Sequence, residues 1–362
     1  MSDSSRTLVI NSSTGSYQVT IESHSLRKNL LHFSKAKILA DEFFAPVLAD
    51  LASPPLLIRA IEENKSLDVS PSIIEGLRQS GANRQTELVA IGGGIIQDLS
   101  AFIASIYMRG LTWSYLPTTI LAMVDSCIGG KSSINVGPYK NLVGTFHPPH
   151  QVLIDPALAQ TLPPDQQASG LIEAAKICFC RGPEAFDRHI ALLPSVMMET
   201  GALEALIYNS LEAKKWFIEI DEFDNKERLL LNFGHTFGHA IEGATHFAIP
   251  HGIAVGLGIL CAITYQVADG IDYSSSPRVA LLELHLAEMI ANSPGTPRAL
   301  ASMSADEMFQ RFASDKKHGT EDYALILIDQ AGKVVLHRVP KSPEVSNKVR
   351  AAVESVVGRF RG

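Results

Sequence analysis

Residues 87–110 read ELVAIGGGIIQDLSAFIASIYMRG. Leu88–Ile91 is an apolar run of strand length, Gly92-Gly93-Gly94 is a turn, and residues 95–110 continue at helical spacing. A strand that enters a glycine turn and leaves as a helix is the first half of a βαβ unit. Glycines there let the backbone approach a phosphate group, and the helix N-terminus favours negative charge. The spacing is not G-x-G-x-x-G, so alone the turn reads first as a tight turn and second as a pyrophosphate cradle. Asp98, in the first turn of that helix, is by itself an ordinary N-terminal charge.

Outward from this unit, residues 1–162 alternate short strand-like runs with helical stretches. TLVIN and YQVTIE read as early strands, and AKILA and PPLLIRAI as further sheet elements. TWSYLP is a strand closed by Pro117-Thr118-Thr119, and HQVLIDP is the last strand. KSSINV and NLVGTF flank Gly137-Pro138 and predict a hairpin. From residue 163 to 362 helical periodicity dominates, in QQASGLIEAAKICF, GALEALIYNSLEAKKWFIEI, the segment around His235, the run after His251 and RVALLELHLAEMIAN. ALILID and KVVLHRV predict a late hairpin. The expected architecture is an α/β Rossmann-like domain (1–162) followed by a mainly α-helical domain (163–362), with the active site in the cleft between them.

Bulk properties agree with a folded two-domain chain. There are 362 residues, 46% hydrophobic and 19% charged, enough apolar content for a large core. A net charge of −7 argues against nucleic acid or an anionic membrane as the main partner. Cys127, Cys178, Cys180 and Cys261 show no Cys-x-x-Cys framework and read as reduced, buried thiols. The start MSDSSRTLVINSS lacks the basic and apolar regions of a signal peptide, which predicts a cytoplasmic protein. The run GIAVGLGILCAITY is shorter than the ~20 residues of a membrane span and reads as a buried helix.

In residues 228–242, RLLLNFGHTFGHAIE, Arg228, Asn232, His235, His239 and Glu242 recur at steps of four, three, four and three. On one α-helix they share a face. The residues between are Leu, Phe, Ala, Ile and Gly, so the stripe reads as buried, and buried ionisable groups need partners. Any one of these histidines alone would read as a satisfied core residue. His251 opens the next apolar run, and Glu173 and Lys176 lie at i and i+3 on a third. A carboxylate with imidazoles suits zinc or a similar divalent ion and leaves positions open for substrate oxygens. On spacing, both His235 and His239 are able to ligate. Lys131, Lys140, Asn141 and Asp125 lie in the glycine-rich stretch VDSCIGGKSSINVGPYKN, and Arg109, Lys214, Lys316 and Lys317 add charge elsewhere. Convergent cations would suit a substrate bearing phosphate and carboxylate.

GGGIIQD, YMRG, LPTT, VDSCIGGKSSIN, KN, GTF, IDP, TLP, E-x-x-K, LNFGHTFGHAIE, HG-x-AV and DKK occur here in the order found in 3-dehydroquinate synthases. From residue 62 to 317 the chain resembles that family, within the sugar phosphate cyclases. The resemblance implies metal ligands Glu173, His235 and His251, with zinc or cobalt as the ion. It implies NAD contacts from Glu62 and Lys65 at the adenosine ribose, and from Gly92, Gly93, Gly94, Asp98, Thr118, Thr119, Asp125 and Lys140. It implies substrate contacts from Lys131, Asn141, Lys176, Lys214, Arg228, Asn232 and His239, and one from Lys316 or Lys317 at the phosphate. Arg109 matches an arginine that reaches the neighbouring subunit's site in a homodimer. The implied reaction cyclises 3-deoxy-D-arabino-heptulosonate 7-phosphate with transient oxidation by NAD and loss of phosphate.

Three positions depart from the family's pattern: Gln97 for Gly, Ile253 for Glu in HGEAV, and Ser132-Ser133-Ile134 for Thr-Ala-Val. They mark a divergent branch. The rival readings are a cyclase of secondary metabolism acting on another sugar phosphate, a metal-dependent polyol dehydrogenase, and a non-catalytic sugar- or nucleotide-binding protein. Retention of His239, with Arg228 and Asn232, favours the carboxylate-bearing substrate.

Overall fold

The computed structural model describes residues 5–137 and 139–361. The chain forms two compact units, Met1–Leu162 with Glu199–Phe223, and Pro163–Met198 with Asp224–Gly362.

The first unit is built on a seven-stranded sheet. In chain order its strands are β1 (Arg6–Ser12), β2 (Gly15–Ile21), β3 (Lys37–Asp41), β4 (Leu56–Ile58), β5 (Leu88–Gly92), β6 (Trp113–Pro117) and, after a small hairpin, β9 (Gln151–Ile154). The spatial order is β1-β2-β9-β6-β5-β3-β4. β1 and β2 pair antiparallel and the other pairs are parallel. Every residue of β5 and β6 is buried, which explains why LVAIG and WSYLP are unbroken runs rather than alternating ones. Gly92 pairs with Pro117, so the glycine turn and the Leu-Pro-Thr-Thr segment leave neighbouring strands side by side. The small hairpin is β7 (Ile134–Val136) with β8 (Tyr139–Val143), both shorter than KSSINV and NLVGTF. Pro138 at its turn lies outside the described residues.

The helix Thr200–Ile220, placed after the 162/163 boundary by its sequence character, packs in the first unit. Ser210 Oγ donates to Val124 O at 3.0 Å, and Glu219 accepts from the backbone and amide of Asn11 at 3.0 and 2.7 Å. The second domain is therefore interrupted by a helix whose partners belong to the sheet unit.

The second unit is helical apart from a hairpin of β10 (Asp322–Ile328) and β11 (Val334–Pro340), as expected from ALILID and KVVLHRV. Its central helix, His251–Ala268, is the one described helix long and apolar enough to cross a membrane, and it is 78% buried within this unit. It is a core helix.

The segment 228–242 is not one helix. Glu227–Asn232 is a 3-10 helix, and a new α-helix, His235–Ala244, begins after Gly234. Gly234 has φ +79, a left-handed conformation open to glycine at little cost. A Cβ on Gly234 would sit 2.7 Å from Val255 O and one on Gly258 would sit 2.0 Å from Gly234 O, so the two segments meet backbone to backbone. The five-residue stripe therefore splits: Arg228 and Asn232 precede the break, and His235, His239 and Glu242 follow it. All four cysteines are free, and burial pushes the Cys127 thiol up to about 12.

Candidate functional site

In the first unit the helix Gly94–Ile106 starts without a side-chain cap, with Gly93 at its N-cap. A Cβ on Gly92 would strike Ile96 at 2.5 Å and one on Gly93 would meet Thr119 at 2.9 Å, whereas one on Gly94 would meet nothing within 4 Å. The turn thus holds a space beside uncapped helix N–H groups, which fits a pyrophosphate. Thr118 N donates to Gly92 O at 3.0 Å, and Thr119 Oγ1 accepts from Ala122 N at 3.2 Å.

Beside the turn lies a polar network. Lys65 Nζ reaches Asp98 Oδ2 at 3.2 Å and Asn141 Oδ1 at 2.9 Å, and Lys140 Nζ lies 3.4 Å from Glu62 Oε1. Asp98 Oδ1 also accepts from Ser133 N at 3.1 Å. Burial raises the Asp98 carboxyl to about 6 despite the opposing charge of Lys65. The structure brings Asn141, expected at the substrate, into contact with Lys65 and Asp98, expected at the cofactor. It adds Asn135, whose amide donates to Glu62 Oε1 at 2.9 Å and which the sequence reading missed.

Asp125 lies on a π-helical turn, Ala122–Ser126. Lys214 Nζ binds Asp125 Oδ1 at 2.5 Å and the carbonyls of Asp125 and Ile128 at 2.6 and 3.3 Å. Two residues expected in different roles are thus one ion pair. Gln97 locks the same turn, donating from Nε2 to Ser126 O at 2.8 Å and accepting from Ser126 Oγ. Lys131 stands over the Phe146 ring, 5.8 Å from its centroid. Arg109 follows the helix in a 3-10 turn with φ +72 and is exposed.

In the second unit His235, His239 and His251 converge, with one ligand atom from each lying within 4.8 Å of the others. His235 Nδ1 faces Phe233 O at 3.4 Å and His251 Nδ1 faces Glu242 Oε2 at 3.3 Å. With the protons on Nδ1, both Nε2 lone pairs are left to ligate. His251 Nε2 lies 3.9 Å from Glu173 Oε1. Glu173 is fully buried, and neither of its oxygens has a hydrogen-bond partner, although Oε2 lies 2.5 Å from Lys176 Nζ in an ion pair. A buried carboxylate with unsatisfied oxygens beside imidazole lone pairs is the donor set of a divalent cation. The imidazoles of His235, His239 and His251 are the groups that converge closely enough for such an ion, and Glu173 stands at their edge, 3.9 Å from His251 Nε2.

His235 and His239 are held neutral, as ligation needs, whereas His251 is shifted the other way by its carboxylate neighbours. Burial, then the charge of Lys176, holds His235 well below the usual histidine value; desolvation of its ring nitrogens, then His251, lowers His239 although the residue as a whole is exposed. Burial would lower His251 too, but the hydrogen bond and charge of Glu242, with Glu173, raise it overall. Arg228 is 4% exposed, and Asn232 Nδ2 donates to Leu229 O at 3.0 Å. Of the two lysines in the DKK motif, Lys316 is exposed, whereas Lys317 Nζ is buried with no hydrogen-bond partner among the described residues. Burial lowers Lys317, although Asp315 and Asp224 oppose the shift. Ile253, where the family has Glu, is wholly buried.

Family models for the 3-dehydroquinate synthase N-terminal and C-terminal regions match residues 55–169 and 170–318. A 3-dehydroquinate synthase of Pyrobaculum islandicum is 34% identical over 328 residues, covering 88% of this chain and 91% of the relative. A 2-deoxy-scyllo-inosose synthase of Streptomyces kanamyceticus is 34% identical over 296 residues, covering 80% and 74%. Among solved structures, a 2-deoxy-scyllo-inosose synthase complexed with carbaglucose-6-phosphate, NAD+ and Co2+ shares the fold with a TM-score of 0.82. At 23% identity it covers 97% of this chain and 99% of its own.

Proposed function

The chain belongs to the 3-dehydroquinate synthase family, and from that premise we propose that it converts a sugar phosphate into a carbocycle with loss of phosphate. Its cofactors are NAD and a divalent metal, zinc or cobalt. The observation that carries the reading is the convergence of His235, His239 and His251, with the buried Glu173 carboxylate 3.9 Å from His251 Nε2.

When bound, the cation would supply Lewis-acid polarisation of substrate hydroxyls and the dinucleotide would supply reversible redox chemistry. The remaining work falls to side chains. Glu62 and Lys65 orient the ribose, and the Gly94 turn receives the pyrophosphate. Lys176, held against Glu173, stabilises negative charge that develops on substrate oxygen. Lys317, a desolvated ammonium with no hydrogen-bond acceptor among the described residues, takes the substrate phosphate and holds its charge as it leaves. Arg228, buried just before the left-handed break, binds a carboxylate. That residue favours 3-deoxy-D-arabino-heptulosonate 7-phosphate. The likeness to 2-deoxy-scyllo-inosose synthase supports a second reading, cyclisation of a hexose phosphate, a substrate that carries no carboxylate. We place the enzyme in the cytoplasm as a homodimer, with exposed Arg109 offered to the neighbouring site.

The test is incubation of the full chain with NAD+, a divalent ion and either the heptulosonate phosphate or glucose 6-phosphate, following phosphate release and carbocyclic product. Turnover of the first alone supports the principal reading, and turnover of the hexose phosphate alone replaces it with the second. Net accumulation of NADH without phosphate release would overturn both.

A further inference from the structure

Asn135 sits at the irregular point of the β7–β8 hairpin. Ile134 pairs with Val143 and Val136 with Tyr139, so the register shifts across Asn135. Such an irregularity releases a residue from the ladder and re-aims it. Asn135 turns its backbone N–H to Lys65 O at 2.9 Å and forms a parallel bridge with Ser66. Its side chain, 8% exposed, uses both ends of the amide. Nδ2 donates to Glu62 Oε1 at 2.9 Å and to Glu62 O at 3.4 Å, and Oδ1 accepts from Asn141 N at 2.9 Å. Asn141 has φ +53, a conformation non-glycine residues adopt when their surroundings hold them there. Its own Oδ1 then receives Lys65 Nζ at 2.9 Å.

We propose that Asn135 is a positioning residue of the nucleotide site, aiming the Glu62 carboxylate and, through Asn141, the Lys65 ammonium at the ribose hydroxyls of the bound dinucleotide. This rests on reading the Gly94 turn and Glu62 as that site. The argument is one of satisfiability. Glu62 is partly exposed and has Lys140 and Lys65 at 3.4 and 3.9 Å as competing partners. The neutral Asn135 donor fixes one carboxylate oxygen without drawing the side chain onto a cation, so acceptor capacity remains for a diol. An aspartate in place of Asn135 could still accept from Asn141 N but could not donate to Glu62, and it would face that carboxylate with like charge. Alanine would do neither.

The experiment measures the dissociation constant for NAD+ by calorimetry on the full chain, with kcat at saturating NAD+ and the thermal midpoint recorded for each variant. N135A is expected to bind NAD+ about tenfold more weakly, as for loss of a hydrogen bond to a charged group. At saturating NAD+ its kcat should stay within about twofold, because the loss is one of ground-state binding. N135D is expected to bind more weakly still. A folded N135A or N135D with wild-type affinity would overturn the role of Asn135. If the wild type bound no NAD+, the nucleotide reading would fall and this inference with it.

Discussion

Glu242 Oε2 lies 3.3 Å from His251 Nδ1, joining the end of one helix to the first residue of the next. That contact places the imidazole proton on Nδ1 and directs Nε2 toward Glu173. A carboxylate behind a ligating histidine fixes the ring and raises its basicity, and its loss commonly weakens metal binding about 10–100-fold. E242L should show a loss of that size in a metal titration, and E242Q a smaller one, because the amide oxygen can still accept from Nδ1. The thermal midpoint should fall more with metal than without it. Equal affinity in E242L would mean that packing alone holds the His251 ring.

Glu173 and Lys176 form a buried pair, 0% and 2% exposed. Removing one member of such a pair leaves a buried charge and destabilises by about 3–5 kcal/mol, while replacing both is far less harmful. E173Q should therefore unfold at markedly lower urea concentration than the wild type, and E173Q/K176M should recover much of the difference. Both should lose tight metal binding. A single E173Q variant that kept full metal affinity and activity would remove Glu173 from the ligand set.

The α/β first unit, its glycine turn and the helical second unit were legible because period and punctuation are local signals. The break at Gly234 was not, since a glycine inside a helical pattern is compatible with continuation. What decides it is Val255 and Ile259 pressing on Gly234 from another helix. The assignment of Thr200–Ile220 to the sheet unit was hidden for the same reason: it rests on long-range contacts such as the ion pair of Lys214 with Asp125, which helical periodicity does not mark. The histidines at 235, 239 and 251 were legible as a cluster, because the apolar residues between them made a solvated face improbable. Asn135 was invisible, because its importance lies in a register shift that no local pattern marks. The difference in burial between Lys316 and Lys317 was likewise hidden, because adjacent identical residues carry no local signal of it.

Lys317 keeps a buried ammonium without a hydrogen-bond partner among the described residues, an arrangement that destabilises the ligand-free protein. K317M should raise the thermal midpoint of the ligand-free protein and abolish its response to inorganic phosphate. The folded-state value of Lys317 is lowered, so its destabilising contribution is fully present below that value and fades as pH rises toward the ordinary lysine range. The gain from K317M should therefore be larger at about pH 7 than at about pH 10. A K317M variant less stable than the wild type at neutral pH would show that the ammonium has a structural partner.

Gly94 separates the two meanings of the glycine turn. Gly92 and Gly93 are restricted by Ile96 and Thr119, but the space beyond Gly94 is open, so packing alone does not require glycine there. In a helix, alanine is favoured over glycine by up to about 1 kcal/mol, partly through the unfolded chain. G94A should therefore leave the thermal midpoint unchanged or raise it. If a pyrophosphate occupies that space, the added methyl group should weaken NAD+ binding, while G93A should lower both stability and affinity through its contact with Thr119. A stable G94A protein with undiminished NAD+ affinity would mean that the turn serves strand-to-helix geometry and the cofactor phosphates are held elsewhere.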